Sequence, residues 1–270
     1  MKLEDALEKI AELDYEKIER SLVRQLRAYA RQAKRTTAVV GLSGGLDSSA
    51  TAVLAAKAFG KQNVIAALLP TKATKERDMQ QARQVARKLG VQYVEFSVEG
   101  VMAAVERLSA HGLRPQTRID DGNIAARARM ICLYNLAARS NGLVIGTGDR
   151  SEIVLGYFTK YGDGGADVLP IAGLYKTQVK RLAEKLRIQR EIIEKPPSPN
   201  LWLGQTAEEK LGASYEELDV VLWALFERGM AASEIEKKFG IKKWLVERVE
   251  NLRAESVHKR KTPPALNPFE

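Results

Sequence analysis

The chain has 270 residues, 45% of them apolar, with 43 lysines and arginines against 34 acids and a formal charge of +9. That length buries a substantial core, and a composition this ordinary belongs to a soluble globular protein without a membrane span, since no apolar run approaches roughly 18 residues. One cysteine, Cys132, excludes an internal disulfide and a thiolate metal cage, and the acidic start Met1-Lys2-Leu3-Glu4-Asp5 does not read as a secretory leader, so a cytoplasmic setting is expected.

In chain order, residues 3–34 predict one long or kinked helix, with Leu3, Ala6, Leu7, Ile10, Ile18, Leu22 and Leu26 at helical spacing. The β-branched run Thr36–Val40 predicts a buried strand. It stops at Ser43-Gly44-Gly45, and an Ala-rich helix over Ser49–Phe59 follows. Asn63–Leu69 predicts a second strand, Glu76–Lys88 a helix, and Val91–Val98 a third strand. Strand and helix alternate, which argues for a doubly wound, mostly parallel α/β sheet of Rossmann-like type. Residues 99–110 predict a short helix and 111–122 a polar loop, with Asn123 capping a helix from 124 to 140. A fourth strand, Leu143–Thr147, leads into a short helix at Ser151-Glu152, then a polar loop, 157–167, containing three glycines. Tyr175–Leu186 predicts a further helix, and Pro196-Pro197-Ser198-Pro199-Asn200 an ordered turn or lid. Helices are expected at Tyr215–Phe226, Ala232–Phe239 and Lys242–Ser256, before a proline-rich tail. The expected organisation is one domain over 1–270: N-terminal helical residues 1–35, an α/β core 36–205, C-terminal helices 206–258 and a tail 259–270.

The chemistry starts at Gly41-Leu42-Ser43-Gly44-Gly45-Leu46-Asp47-Ser48. A glycine turn between a strand and a helix N-terminus presents backbone N–H groups and the helix dipole to a phosphate. Gly44 and Gly45 can take positive φ and let an anion approach the backbone closely, and Ser43, Ser48 and Ser49 add hydroxyl donors. Asp47 would repel a phosphate unless a divalent cation joins them. The Walker A ending is absent. In a doubly wound sheet the fourth strand's end delivers Thr147 and Glu152 to the same edge, so Asp47 and Glu152 are the candidate Mg²⁺ carboxylates. Lys160, Lys176 and Arg127 fall near strand ends or the glycine-rich loop, where cations can meet phosphate; singly, each also reads as a solvated side chain. His111 and His258 support no Ser-His-Asp arrangement. The positive charge fits nucleic acid or small anions. Basic residues interleave with acids, as in Lys75-Glu76-Arg77-Asp78, which favours phosphate binding and solvated helix faces, with no nucleic acid expected.

The Ser-Gly-Gly-Leu-Asp-Ser turn resembles the loop of ATP pyrophosphatases, which adenylate a substrate at the α-phosphorus of ATP. A closer resemblance, to the ammonia-dependent NAD⁺ synthetase family, is carried by several motifs. They are Asn123–Met130, Val144–Thr147 with Ser151-Glu152, Gly156–Asp167, Leu169-Pro170, Leu174-Tyr175-Lys176, Lys195–Pro199, Gly204-Gln205-Thr206 and His258-Lys259-Arg260. The resemblance implies amidation of deamido-NAD⁺ by ammonia through an adenylate, with release of AMP and pyrophosphate. It implies ATP on Gly41 to Ser48, Thr147, Lys176 and Ser198, and Mg²⁺ on Asp47 and Glu152. It places deamido-NAD⁺ on Arg127, Lys160, Asp167, His258 and Lys259, with Asp167 also the candidate to steer or deprotonate ammonium. Asp47, Glu152, Lys176 and Asp167 are thus the implied catalytic set. It further implies a homodimer with the dinucleotide at the interface. Gly148-Asp149-Arg150, Asn200 and Ala207 depart from the family pattern, which puts loop contacts in question and leaves Arg150 either a local contact or surface. The chain starts only about 35 residues before the phosphate loop, which leaves no room for a glutamine-hydrolysing domain, so ammonia is the expected nitrogen source. Two other readings stay open on the residues alone: an adenylating enzyme acting on tRNA, and a nucleotide-binding regulatory module.

Overall fold

The computed structural model describes residues 2–108, 114–198 and 207–268. His111, Pro199-Asn200 and Gly204-Gln205-Thr206 lie outside the described residues. Four parallel strands, β1 (Thr37–Gly41), β2 (Val64–Leu68), β3 (Gln92–Glu95) and β4 (Gly142–Ile145), form a sheet in the order β3-β2-β1-β4. Val39 of β1 pairs with Ile65 on one side and Val144 on the other. The chain moves outward from β1 to β3 and then crosses back to lay β4 beside β1, so the order reverses between β1 and β4. A crevice opens outside the strand ends at such a reversal.

Strand alternation splits the core in two. Ala38, Val40, Val64, Ala66, Leu68, Leu143 and Ile145 pack on one face, while Val39, Ala67 and Val144 pack on the other. With both faces covered, the strands read as continuous apolar runs instead of alternating ones. The first face is covered by α2 (Tyr15–Gln32), α3 (Leu46–Phe59), α4 (Glu76–Leu89) and α8 (Lys176–Lys185), and the second by α5 (Glu99–Glu106) and α6 (Arg118–Arg139). The remaining helices are α1 (Leu3–Ala11), α7 (Arg150–Leu155), α9 (Arg190–Ile193), α10 (Ala207–Leu211), α11 (Tyr215–Phe226), α12 (Ala232–Phe239) and α13 (Lys243–Glu255). A third apolar cluster joins α1 to α11, α12 and α13 through Ile10, Leu218, Val221, Leu222, Ile235 and Val246. Among the described residues no helix is long and apolar enough to cross a membrane.

Several boundaries differ from expectation for local reasons. The N-terminal helix divides at residues 12–14, because Asp14 caps α2 by accepting the Lys17 N–H at 2.9 Å. Asn123 is not a cap. Thr117 starts α6 six residues earlier, in a capping box with Asp120, whose carboxylate accepts the Thr117 N–H at 2.8 Å. Helix α3 starts at Leu46 rather than Ser49, which puts Asp47 in its first turn.

Of the two turn glycines, Gly44 adopts positive φ, +73°, while Gly45 caps α3 at φ −93°. A Cβ on Gly44 would lie 2.2 Å from the Asp78 carbonyl oxygen, whereas one on Gly45 meets only the Ser43 hydroxyl at 3.2 Å. Gly44→Ala is therefore expected to lower the unfolding free energy by about 2–4 kcal/mol, left-handed strain adding to overpacking. Gly45→Ala should cost under about 1 kcal/mol. Denaturant titration of both variants checks the difference, and equal losses would contradict it.

Candidate active site

A cavity of about 840 Å³ opens at the carboxyl ends of β1 and β4. Gly41, Leu42, Ser43, Gly45, Leu46, Asp47 and Ser48 line it from β1, and Thr147 and Glu152 from β4. Lys176, Ser198 and Lys259 complete the expected residues on its wall. The turn is braced internally. The Ser48 hydroxyl donates to the Gly45 carbonyl at 3.1 Å and lies 3.0 Å from the Ser43 hydroxyl, while the buried Ser49 hydroxyl donates to the same carbonyl at 2.7 Å. Ser49 thus holds the turn in shape instead of facing a ligand. The first-turn N–H groups of α3 have no intrahelical acceptor and face the turn, as a phosphate requires.

The centre of the site is a charge cluster. The Lys176 ammonium lies 2.7 Å from Asp47, 2.7 Å from Asp149 and 2.9 Å from Glu152. Three segments meet there: α3 brings Asp47, α7 brings Asp149 and Glu152, and α8 brings Lys176 as its first residue. Asp149 is fully buried as the N-cap of α7, where its Oδ1 accepts the Glu152 N–H at 2.8 Å. Burial would push the Lys176 ammonium down, but the three carboxylates hold it well above its ordinary value. Three acids thus share this one ammonium. Burial first, and the neighbouring Asp149 second, push Glu152 well above the usual carboxylate range.

The carboxylate oxygens of Asp47, Asp149 and Glu152 lie within 4.8 Å of one another. Among the described residues no hydrogen-bond donor reaches the buried Asp47 Oδ1. An all-oxygen donor set with an unsatisfied buried oxygen fits a hard divalent cation such as Mg²⁺.

A second tier holds the cluster in place. Asp219 of α11, fully buried, accepts the Ser151 hydroxyl and, at 2.8 Å each, the N–H and hydroxyl of Thr177. Ser151 in turn accepts the Lys176 N–H at 3.0 Å. One carboxylate thereby ties the first turns of α7 and α8 together. Lys195 does the same for the Ser-Gly-Gly turn, donating to the Gly44 carbonyl at 2.9 Å, Asp78 at 2.7 Å and Gln81 at 2.8 Å.

Arg127, Lys160, Asp167 and His258 stand away from the cavity wall. The exposed Arg127 donates to the Lys160 carbonyl at 3.3 Å on the outer side of α6, and the Lys160 ammonium sits 5.1 Å from the Tyr161 ring centroid. Asp167 is occupied structurally, its Oδ2 accepting the Val144 N–H at 2.7 Å and its Oδ1 the Tyr134 hydroxyl at 3.4 Å. His258 is exposed in a short 3₁₀ turn. Lys259 donates to the carbonyls of Gly156 and Phe158 at 2.8 and 3.0 Å, clamping the entry to the glycine-rich loop. Arg150 is a local contact, paired with Glu227 at 3.0 Å and lying over the Tyr175 ring. Arg129, unlike Arg127, lines the cavity and donates to the Leu69 carbonyl at 3.0 Å. Two residues apart on a helix is about 200° of rotation, so the two arginines face opposite ways.

Residues 18–263 match a family described as NAD synthase. An NH(3)-dependent NAD(+) synthetase of Hyperthermus butylicus is 44% identical over 263 residues, 97% of this chain and 94% of that one. Among solved structures, an NMN synthetase from Francisella tularensis has a TM-score of 0.81 at 32% identity, covering 95% of this chain and 100% of its own. An NH3-dependent NAD synthetase from Campylobacter jejuni, in complex with a nitrate ion, has a TM-score of 0.79 at 29% identity, over 94% and 100%.

Burial pushes Asp219 up to about 7 against the hydrogen bonds from Ser151 and Thr177. An unfolded aspartate titrates near 4, so as pH rises the unfolded chain gives up this proton first. The group's contribution to stability is whole below about pH 4, declines between about 4 and 7, and is flat above. Asp219→Asn should remove that decline, so that stability relative to the parent shifts in the variant's favour as pH rises over this range. Chemical denaturation at pH 4.5, 6 and 7.5 reads it; a constant difference would contradict the assignment.

Proposed function

The chain belongs to the NAD synthase family, and we propose that its cavity amidates the nicotinate carboxylate of deamido-NAD⁺ with ammonia at the expense of ATP, completing NAD⁺. The observation that carries this reading is the convergence of the Ser-Gly-Gly turn, Asp47, Glu152 and Lys176 on one cavity. A carboxylate is a poor acyl donor until one of its oxygens becomes part of a leaving group. Attack of that oxygen on the α-phosphorus of ATP would form a mixed anhydride with AMP and release pyrophosphate. Ammonia then displaces AMP, and the carbonyl carbon keeps its other oxygen as the carboxamide.

In this reading the backbone of Gly41 to Ser48 cradles the departing pyrophosphate, and Thr147 and Ser198, which line the same cavity, hold the nucleotide. Asp47 and Glu152 would hold Mg²⁺, which when bound neutralises charge on the phosphates. Lys176 supplies a positive charge where the pyrophosphate's negative charge grows. Fixing two anionic substrates in line contributes through orientation, an effect that can reach roughly 7–11 kcal/mol.

Arg127, Lys160 and Asp167 find their use at an interface between two copies. Arg127, Ile131 and Tyr134 recur at helical spacing on one face of α6, where Ile131 is 60% and Tyr134 39% exposed, and the neighbouring Tyr161 is 59% exposed. A homodimer through this face would cover the apolar side chains and leave the arginine and lysine to meet the dinucleotide at the seam. Lys259, and His258 beside it, would then reach the same ligand from the C-terminal side, with Asp167 the candidate to steer ammonium. A single-domain cytoplasmic enzyme without nucleic-acid partners completes the reading.

The test is formation of AMP and NAD⁺ from ATP, deamido-NAD⁺ and ammonium, with glutamine, tRNA and nicotinic acid mononucleotide as rival inputs. NAD⁺ from ammonium, with little from glutamine, is expected. ATP consumption only with tRNA would overturn the reading, and preference for the mononucleotide would reassign the acceptor. Asp47→Asn and Glu152→Gln should each raise the Mg²⁺ concentration needed for half-maximal turnover by at least about tenfold, the effect of losing roughly 1.4 kcal/mol of metal binding. Unchanged Mg²⁺ dependence in both would remove them from the metal site.

A further inference from the structure

We propose that the Lys176 ammonium is a built-in competitor for the divalent cation, holding the carboxylates of Asp47, Asp149 and Glu152 until ATP draws it away, so that metal binds well only with nucleotide. The proposal rests on the reading of this cluster as the ATP-metal site, and it adds Asp149 as a third carboxylate of that site.

The geometry carries it. Lys176 Nζ touches all three acids at 2.7–2.9 Å, the central position in a cluster whose oxygens lie close enough together to share one ion. The lysine is tethered: its backbone N–H is fixed by Ser151 and its side chain is 6% exposed. A tethered cation acts at an effective concentration in the millimolar range or above, so free divalent ions compete at a disadvantage. Burial of Lys176 and Asp149 strengthens the attraction between them, because buried charges are screened little.

The same side chain can leave. Lysine is a compact charge on a flexible four-carbon stem, and Lys176 lines the cavity shared with the Ser-Gly-Gly turn. An arriving triphosphate offers the ammonium a new anionic partner. Its departure strips the three carboxylates of their counter-charge, which raises their demand for a divalent ion. Asp149 stays behind as the buried N-cap of α7, and among the described residues no donor reaches one oxygen of Asp47. Metal and nucleotide are thereby coupled, each favouring the other.

Mn²⁺, added as its chloride to the nucleotide-free protein, tests the competition by electron paramagnetic resonance of the free ion. Parent protein should bind it weakly, and Lys176→Met at least about tenfold more tightly, within the usual range of coupling between sites. Mn²⁺ alone should raise the melting temperature of the variant and leave the parent unmoved. Should three uncompensated acids prevent K176M from folding, K176M/D149N retains two and should also bind Mn²⁺ more tightly than the parent. Tight Mn²⁺ binding by the parent without nucleotide, or no tightening in either variant that folds, overturns the proposal. Because no substrate is present, the outcome is independent of which acceptor is amidated, so a failure here is distinguishable from a failure of the product assay.

Discussion

The cluster of one buried ammonium and three carboxylates is the constraint around which this fold is assembled. Its members come from the segment after β1, the segment after β4 and the start of α8, so the cluster forms only when all three arrive together. Buried ion clusters are not generally efficient stabilisers, because desolvation offsets much of the attraction. Their value here is geometric. Asp149 and Glu152 lock each other through the capping of α7, and Asp219 fixes the two helix starts from behind. The helical cluster that contains α11 therefore takes part in shaping the site as well as covering the sheet.

The sheet order explains why the site is where it is. Reversal between β1 and β4 separates two adjacent loops and leaves a crevice that neither crossover fills. The phosphate turn occupies one lip and the Asp149–Glu152 helix the other. The proposed roles divide by location. Nucleotide-type contacts line the interior cavity, while Arg127, Lys160, Tyr134 and Tyr161 lie on the outside of α6 and its neighbouring loop. In the proposed function the cavity would take ATP, and the open, partly apolar face would take the dinucleotide and a second copy.

Much of this was legible in the residues. The parallel sheet follows from continuous apolar strands separated by helical periodicity, and Asp47 and Glu152 from their positions after two strands. What escaped has a common cause: it depends on contacts distant in sequence. Lys195 reaches Gly44 across 151 residues and Asp219 reaches Thr177 across 42. Asp219 did leave a trace, a lone acid inside the apolar run Leu218–Leu222, and Asp149 left another, since Asp-Arg-Ser-Glu has the spacing of a capping box. Arg129 is separated from Arg127 only by helix phase, and the mistaken cap at Asn123 displaced no residue from its face. The roles of Ser49 and Gly45 depend on the turn's exact path, which decides its internal bonding.

In the proposed function, the acceptor's own carboxylate would attack the α-phosphorus of ATP in this cavity. Oxygen bookkeeping tests it most directly. Deamido-NAD⁺ labelled with ¹⁸O at both carboxylate oxygens is turned over with ATP and ammonium, and the products are weighed by mass spectrometry. The account predicts one ¹⁸O in the phosphate of AMP, one in the carboxamide of NAD⁺ and none in pyrophosphate. Label released to water, or found in pyrophosphate, would contradict it.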